Sequence, residues 1–172
     1  DDPLLKNKKF LAAVYNKDLD RVSKTDFEFQ YPQTLVQSQL VWNPNLAFDE
    51  DPDDLANSDL GLLFAPIGGP GIGKAADPDI SNYTFMRFGN DATQKDKVAI
   101  KSPNTVWNVN SITTVDKDIY IFGPSKGDDK YINQVITAGE DLDKVKWESF
   151  QLAKLVNGKV AYVNAPSLKE FE

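Results

Sequence analysis

The stretch Leu60–Pro66, LGLLFAP, is a short apolar run closed by a small residue and a proline. The same arrangement returns as IYIFGP at Ile119–Pro124 and as VAYVNAP at Val160–Pro166. Apolar runs of this length, punctuated by Gly, Asn and Pro, read as β-strands that the proline stops. A chain that builds one strand repeatedly and ends it the same way points to stacked copies of one sheet unit.

The neighbours of the run recur as well. VWNPN (Val41–Asn45) precedes the first copy and VWNVN (Val106–Asn110) the second. DKVAIKS (Asp96–Ser102) follows the first copy and DKVKWES (Asp143–Ser149) the second, so that Ile100 aligns with Trp147. These matches divide the chain into units over about 41–105, 106–148 and, partially, 149–172. FLAAVY, Phe10–Tyr15, would be the remnant of a further unit in 1–40. Units of this size suit a propeller or solenoid, in which each copy buries its faces against its neighbours. Chance similarity among apolar strands is the competing explanation. The expected fold is all-β, with antiparallel sheet blades of a propeller-like repeat, incomplete or part of a larger propeller. The 172 residues are enough for a single domain with its own core.

Local signals fill in the strands. FEFQYP (Phe27–Pro32) alternates apolar and polar residues, and TLVQSQLVW, NYTFMRFG and DKVAIK read as further strands. SITTV-DKD-IYIF reads as a hairpin, and YINQVIT as the strand after it. FQLAKLV, Asn157-Gly158, KVAYVNA is the clearest hairpin, because both turn residues tolerate the positive φ that matches strand twist. Two places stay open. Leu4, Leu11, Tyr15 and Val22 share one helical face, so the N-terminal segment reads as helix or strand. Leu142, Val145, Leu152 and Val156 also fit a helix capped by Gly158.

The second unit, Ile119–Phe150, resembles a kelch repeat of a β-propeller. In that resemblance Ile119–Phe122 is the first strand, Gly123 the first of a glycine pair, Tyr131–Thr137 the second strand and Trp147 the tryptophan that opens the last strand. Pro124 stands where the second glycine belongs, and the first unit has Ile100 at the tryptophan position. The resemblance implies blades of antiparallel strands and names no activity. A closed propeller takes at least about four blades, so the resemblance also implies association with missing blades or another chain.

Composition excludes several chemistries. With no Cys and no His, there are no disulfides, no thiol nucleophile, no Ser-His dyad and no zinc site built on those residues. A net charge of −7 without a basic stripe argues against nucleic acid and against anionic membranes. No apolar run is long enough to span a bilayer. GGPGIGK (Gly68–Lys74) has the spacing of a phosphate-binding loop, but Ala75 stands where a hydroxyl must hold magnesium. Pro78 would break the helix such a loop needs, and Pro70 removes an amide donor.

The acidic run Asp49–Asp59 lacks the spaced ligand pattern of a calcium loop and reads as a solvated insertion. Trp42, Trp107 and Trp147 suit either a sugar-stacking platform or core packing between units, and core is the simpler reading. Asn82-Tyr83-Thr84 is a glycan acceptor sequon, meaningful only in a secreted eukaryotic protein.

No catalytic, cofactor-binding or metal-binding residue is singled out. The expected function is a non-catalytic scaffold or binding module, of propeller type, presenting loops such as Phe48–Leu60 and Ile67–Pro78 to a protein or glycan. The alternative is a carbohydrate-active hydrolase that uses two carboxylates. No cofactor, nucleic acid or membrane insertion is expected. The chain opens on Asp1-Asp2-Pro3 rather than Met, which together with the architecture gives an extracytoplasmic or secreted location as the expectation.

Overall fold

A computed structural model describes residues 9–29, 33–42, 58–66, 82–104, 106–115, 118–126 and 146–171. These residues form eleven strands: β1 (Lys9–Tyr15), β2 (Arg21–Glu28), β3 (Gln33–Trp42), β4 (Ser58–Pro66), β5 (Asn82–Phe88), β6 (Gln94–Lys101), β7 (Val106–Trp107), β8 (Ser111–Val115), β9 (Asp118–Lys126), β10 (Ser149–Val156) and β11 (Lys159–Asn164). A single 3-10 turn at Leu168–Phe171 follows. The protein is all-β with three antiparallel sheets: the β1–β2 hairpin, a four-stranded sheet ordered β3-β4-β5-β6, and a sheet ordered β11-β10-β9 in which β7 and β8 both border β9. Among the described residues no helix is long and apolar enough to cross a membrane.

The apolar runs follow from where the sheets lie. The four-stranded sheet is the middle layer, covered on both faces. On one face Val41, Leu63, Tyr83, Phe85, Val98 and Ile100 pack against Trp107, Ile112, Ile119, Ile121, Ala153 and Leu155 of the five-stranded sheet. On the other face Leu62, Phe64, Met86 and Phe88 pack against the hairpin through Phe10, Ala12, Phe27 and Phe29. A strand with no solvated side has no polar positions to alternate with. That fits the continuous apolar run of LGLLFA, while β9 and β10, covered on one face, alternate buried with half-buried residues.

The outer core is aromatic. Phe10 stacks on Phe27 with centroids 5.5 Å apart, and Phe64 meets the rings of Phe10 and Phe29 edge-on or tilted at 4.9 Å. The hairpin is held to the middle sheet mainly by these rings, each large buried side chain contributing about 1.5–3 kcal/mol.

Both open readings resolve to strand in the described residues. Lys9–Tyr15 is β1, paired with β2 from Lys9↔Glu28 to Tyr15↔Arg21. Ser149–Val156 is β10, paired on both sides. Asn157 and Gly158 turn the chain at φ values of 49° and 69°, both in the left-handed region the hairpin reading requires. The strand expected over Phe27–Pro32 differs: β2 begins at Arg21 and stops at Glu28. Phe29 leaves the ladder and turns its ring into the aromatic cluster instead. The YINQVIT strand, the SKGDD turn and 141–145 lie outside the described residues.

Two of the recurring runs take like places and the third does not. Leu60–Pro66 lies in β4, the second strand of its meander, and Ile119–Pro124 lies in β9, the second strand of the meander β8-β9-β10-β11. Val160–Pro166 begins in β11, an edge strand of that same sheet, and most of its residues are exposed or half-buried. The flanking matches diverge too. Asp96–Lys101 is strand within β6, whereas Lys146–Glu148 precede β10 without pairing into a strand. Val41-Trp42 end a long strand, and Val106-Trp107 are a strand of two residues.

Gly123 explains why β7 and β8 are separate. Trp107 pairs with Ser125 and Ser111 with Phe122, so 108–110 face only 123–124: one residue too many. The surplus bulges over the inner face of β9. Asn108 N–H still donates to Pro124 O, and Asn110 N–H to Phe122 O, both at 2.9 Å. A Cβ on Gly123 would stand 1.9 Å from the Asn108 carbonyl oxygen. Only glycine leaves room for the bulge.

Candidate functional site

Strand parity carries three charges into the layer between the two large sheets. Asp59 shares a face with Gly61 and Leu63, Arg87 with Tyr83 and Phe85, and Asp96 with Val98 and Ile100. Arg87 Nη1 donates to Asp59 Oδ2 at 2.9 Å, and Arg87 Nε to Asp96 Oδ2 at 2.5 Å. Lys95 Nζ donates to the other Asp59 oxygen at 3.1 Å. Arg87 is 8% and Asp59 2% exposed at the side chain, so the cluster is desolvated, and each ion depends on its partners. The β10–β11 turn closes over it: a Cβ on Gly158 would fall 2.4 Å from an Asp96 oxygen.

Asp59 corrects the sequence reading, which put it at the end of a solvated acidic loop. It is the first inward-facing residue of β4. Residues 49–57 of that run lie outside the described residues, as do Ile67–Pro78 and the whole of the Gly68–Lys74 loop. Asp59 and Asp96 meet through Arg87, between the sheets rather than in a cleft. Both are engaged by cations, which suits an ion-pair lock and not proton transfer to a substrate. Among the described residues no group of three or more acidic side chains gathers to hold a metal ion.

The tryptophans divide. Trp107 is buried at 4% exposure in the inter-sheet core. Trp147 is half-buried just before β10, and the Trp42 side chain lies outside the description. Trp107 packs edge-on against Tyr83, 5.1 Å between centroids. The Tyr83 hydroxyl donates to Trp107 O at 3.1 Å and accepts from Trp107 N–H at 3.2 Å. One phenol thus satisfies both main-chain groups of a residue in a two-residue strand and ties the two sheets together. Burial pushes the Tyr83 pKa up to about 12, with the hydrogen bond to Trp107 opposing.

The phenol therefore stays neutral in the folded protein while an unfolded chain ionises it near 10. Its contribution is complete below pH 10 and falls away between pH 10 and 12, by about 3 kcal/mol in all. Tyr83→Phe should flatten this alkaline limb in chemical denaturation measured from pH 8 to 12. An unchanged limb would show that Tyr83 ionises in place.

A second polar group lies at the far end of the same core. Ser102 Oγ lies 2.8 Å from Gln151 Oε1 and 2.5 Å from Asn104 O, and Asn104 Nδ2 donates to Ser125 Oγ at 2.8 Å. It pins the segment between β6 and β7 to the second sheet.

A concave feature lies elsewhere, between the hairpin and the middle sheet. A cleft of about 230 Å³ is lined by Ala12, Ala13, Val14, Leu40, Ser58, Leu60, Phe88, Gly89, Asn90 and Ala92. It has no charged lining residue. Its width comes from small residues on β1 and on the β5–β6 turn, where Ala92 takes φ 62°. Leu40 and Leu60 line it at 50% and 37% exposure, so large apolar side chains meet water there. Nothing in the sequence marked these residues, because they come from four strands and one turn, and no two of the strands contribute a motif. The usable signal was weaker: a strand, β3, whose apolar residues have no polar alternation.

Compared with known proteins, the chain matches no protein-family model, no curated protein and no solved structure.

Proposed function

We propose that the chain is a non-catalytic binding module whose apolar cleft receives an apolar side chain from a protein partner. The observation that carries this reading is the cleft lining: mostly small and aliphatic groups with the ring of Phe88, two half-exposed leucines, the polar Ser58 and Asn90, and no charge among the described residues. Such a lining rewards burial of an apolar group at about 25 cal/mol per Å². It offers a glycan neither a flat exposed aromatic ring nor a set of charged or amide groups, so of the two partner classes protein is favoured. The propeller-like reading belongs here as well. Two successive four-stranded meanders stack face to face, with related apolar runs in their second strands, as neighbouring blades would. Further blades from another chain would extend the stack.

The test is selection from a displayed peptide library against wild type and Leu60→Asp, with a glycan array and a glycosidase panel run in parallel. Wild type should enrich peptides with an apolar anchor. Leu60→Asp should lose about tenfold or more in affinity, since it sets a charge where the anchor would be buried. Glycan binding without peptide binding would overturn the proposal. So would glycoside turnover that a single Asp or Glu replacement abolishes.

A further inference from the structure

We propose that two copies of this chain associate edge to edge through β3, continuing the middle sheet across a two-fold axis near Leu40. A strand with one neighbour presents a row of main-chain donors and acceptors, and proteins guard such rows with charge, proline, glycine or brevity. Among the described strands β3 borders only β4. It is ten residues long, QTLVQSQLVW, with no charged residue, no proline and no glycine. The opposite edge of the same sheet, β6, carries Lys95, Asp96, Lys97 and Lys101. The hairpin edge β2 carries Arg21, Lys24, Asp26 and Glu28. Of the other described edges, β1 and β11 each open on a lysine and β7 and β8 are five residues or fewer, which leaves β3 as the longest edge without a guard.

A second copy is the occupant that fits. Each chain carries a net charge of −7, so a contact between copies meets least repulsion through neutral surface. β3 supplies that surface, and a neutral strand repeated by a two-fold axis meets only neutral groups. Pairing centred on Leu40 sets Leu40 of one copy against Leu40 of the other, with Gln39 opposite Val41. Leu40 is 50% exposed and pairs with Leu60 of β4, so the contact would cover apolar surface that now faces water. It also leaves out the one irregular point of the strand, the bulge between Leu35 and Gln37. This inference does not require the binding-module reading; either stands without the other.

Sedimentation velocity across a concentration series tests it, with wild type, Leu40→Lys and Phe122→Lys compared. Phe122 lies on the outer face of the second sheet and is half-buried, so its replacement probes face-to-face association instead. The expected result is a concentration-dependent dimer for wild type and Phe122→Lys. Leu40→Lys should weaken it at least about tenfold, because the axis brings two like charges together. Leu40 is a half-exposed edge residue, so circular dichroism and the thermal midpoint should stay close to wild type. A wild-type chain that remains monomeric at about 0.3 mM would overturn the proposal, and so would a dimer lost in Phe122→Lys but kept in Leu40→Lys. Loss of peptide selection with the dimer intact would count against the cleft alone.

Discussion

Replacing Arg87 with Met should cost about 3–5 kcal/mol, the range for removing one partner of a buried ion pair. Asp59 would keep Lys95 but lose the guanidinium that meets its other oxygen, in a site where its side chain is 2% exposed. Asp96 would lose its bond from Nε, facing the β10–β11 turn. The informative comparison is the pair of variants. Arg87→Met with Asp59→Asn removes the two most buried ions and should recover part of the loss, because only the more exposed Asp96 and Lys95 are then left without their partners. Urea denaturation of the two single variants and the double closes the cycle. A cost under about 1 kcal/mol for Arg87→Met would place the cluster in the class of solvated surface pairs and remove it as a lock between sheets.

Gly123→Ala should be comparably severe, for a steric reason. The new methyl carbon would stand 1.9 Å from the Asn108 carbonyl oxygen, and the neighbouring contacts are main chain as well. No rotamer change relieves a clash with backbone. The bulge at 108–110 must lift, and the bonds from Asn108 N–H to Pro124 O and from Asn110 N–H to Phe122 O go with it. Overpacking in a tight site costs typically about 1–3 kcal/mol, and each lost hydrogen bond adds about 1 kcal/mol. A drop of about 3–5 kcal/mol in denaturation free energy is therefore expected. Gly61→Ala is the control: its Cβ would meet side chains of Val41 and Phe85 at 3.0 and 3.1 Å, which are able to give. Equal losses for the two would refute the bulge argument.

Much of the strand order was legible because β-structure announces itself locally. Asn157-Gly158 fixed its hairpin by φ requirement alone, and SITTV with IYIF paired as expected around 116–117. The repeats were harder to weigh. LGLLFAP in β4 is covered on both faces, whereas IYIFGP in β9 is as apolar although, among the described residues, its sheet is covered on one face only. VAYVNAP satisfies the same pattern at an exposed edge, where no core demands it. Pattern alone does not report which face has a neighbour.

The ion cluster was missed for the opposite reason. Asp59 sits among six acidic residues, and composition said loop. Its parity with Gly61 and Leu63 said inward, and Arg87 and Asp96 answer it at the same parity on the next two strands. An acidic residue two before an inward glycine, with an inward arginine one strand away, was the available signal. The cleft left no comparable trace, since Ala13, Leu40, Leu60 and Phe88 meet only after four connections have been made.

The middle sheet's two buried faces carry a kinetic consequence. Each of its strands pairs with its sequence neighbour, so the meander assembles from short-range contacts and should zip early. Until both flanking layers arrive, however, it is a plate of phenylalanine, leucine and methionine wet on two sides. The slow step is then docking rather than strand pairing, and during that interval the nascent chain is most exposed to wrong partners.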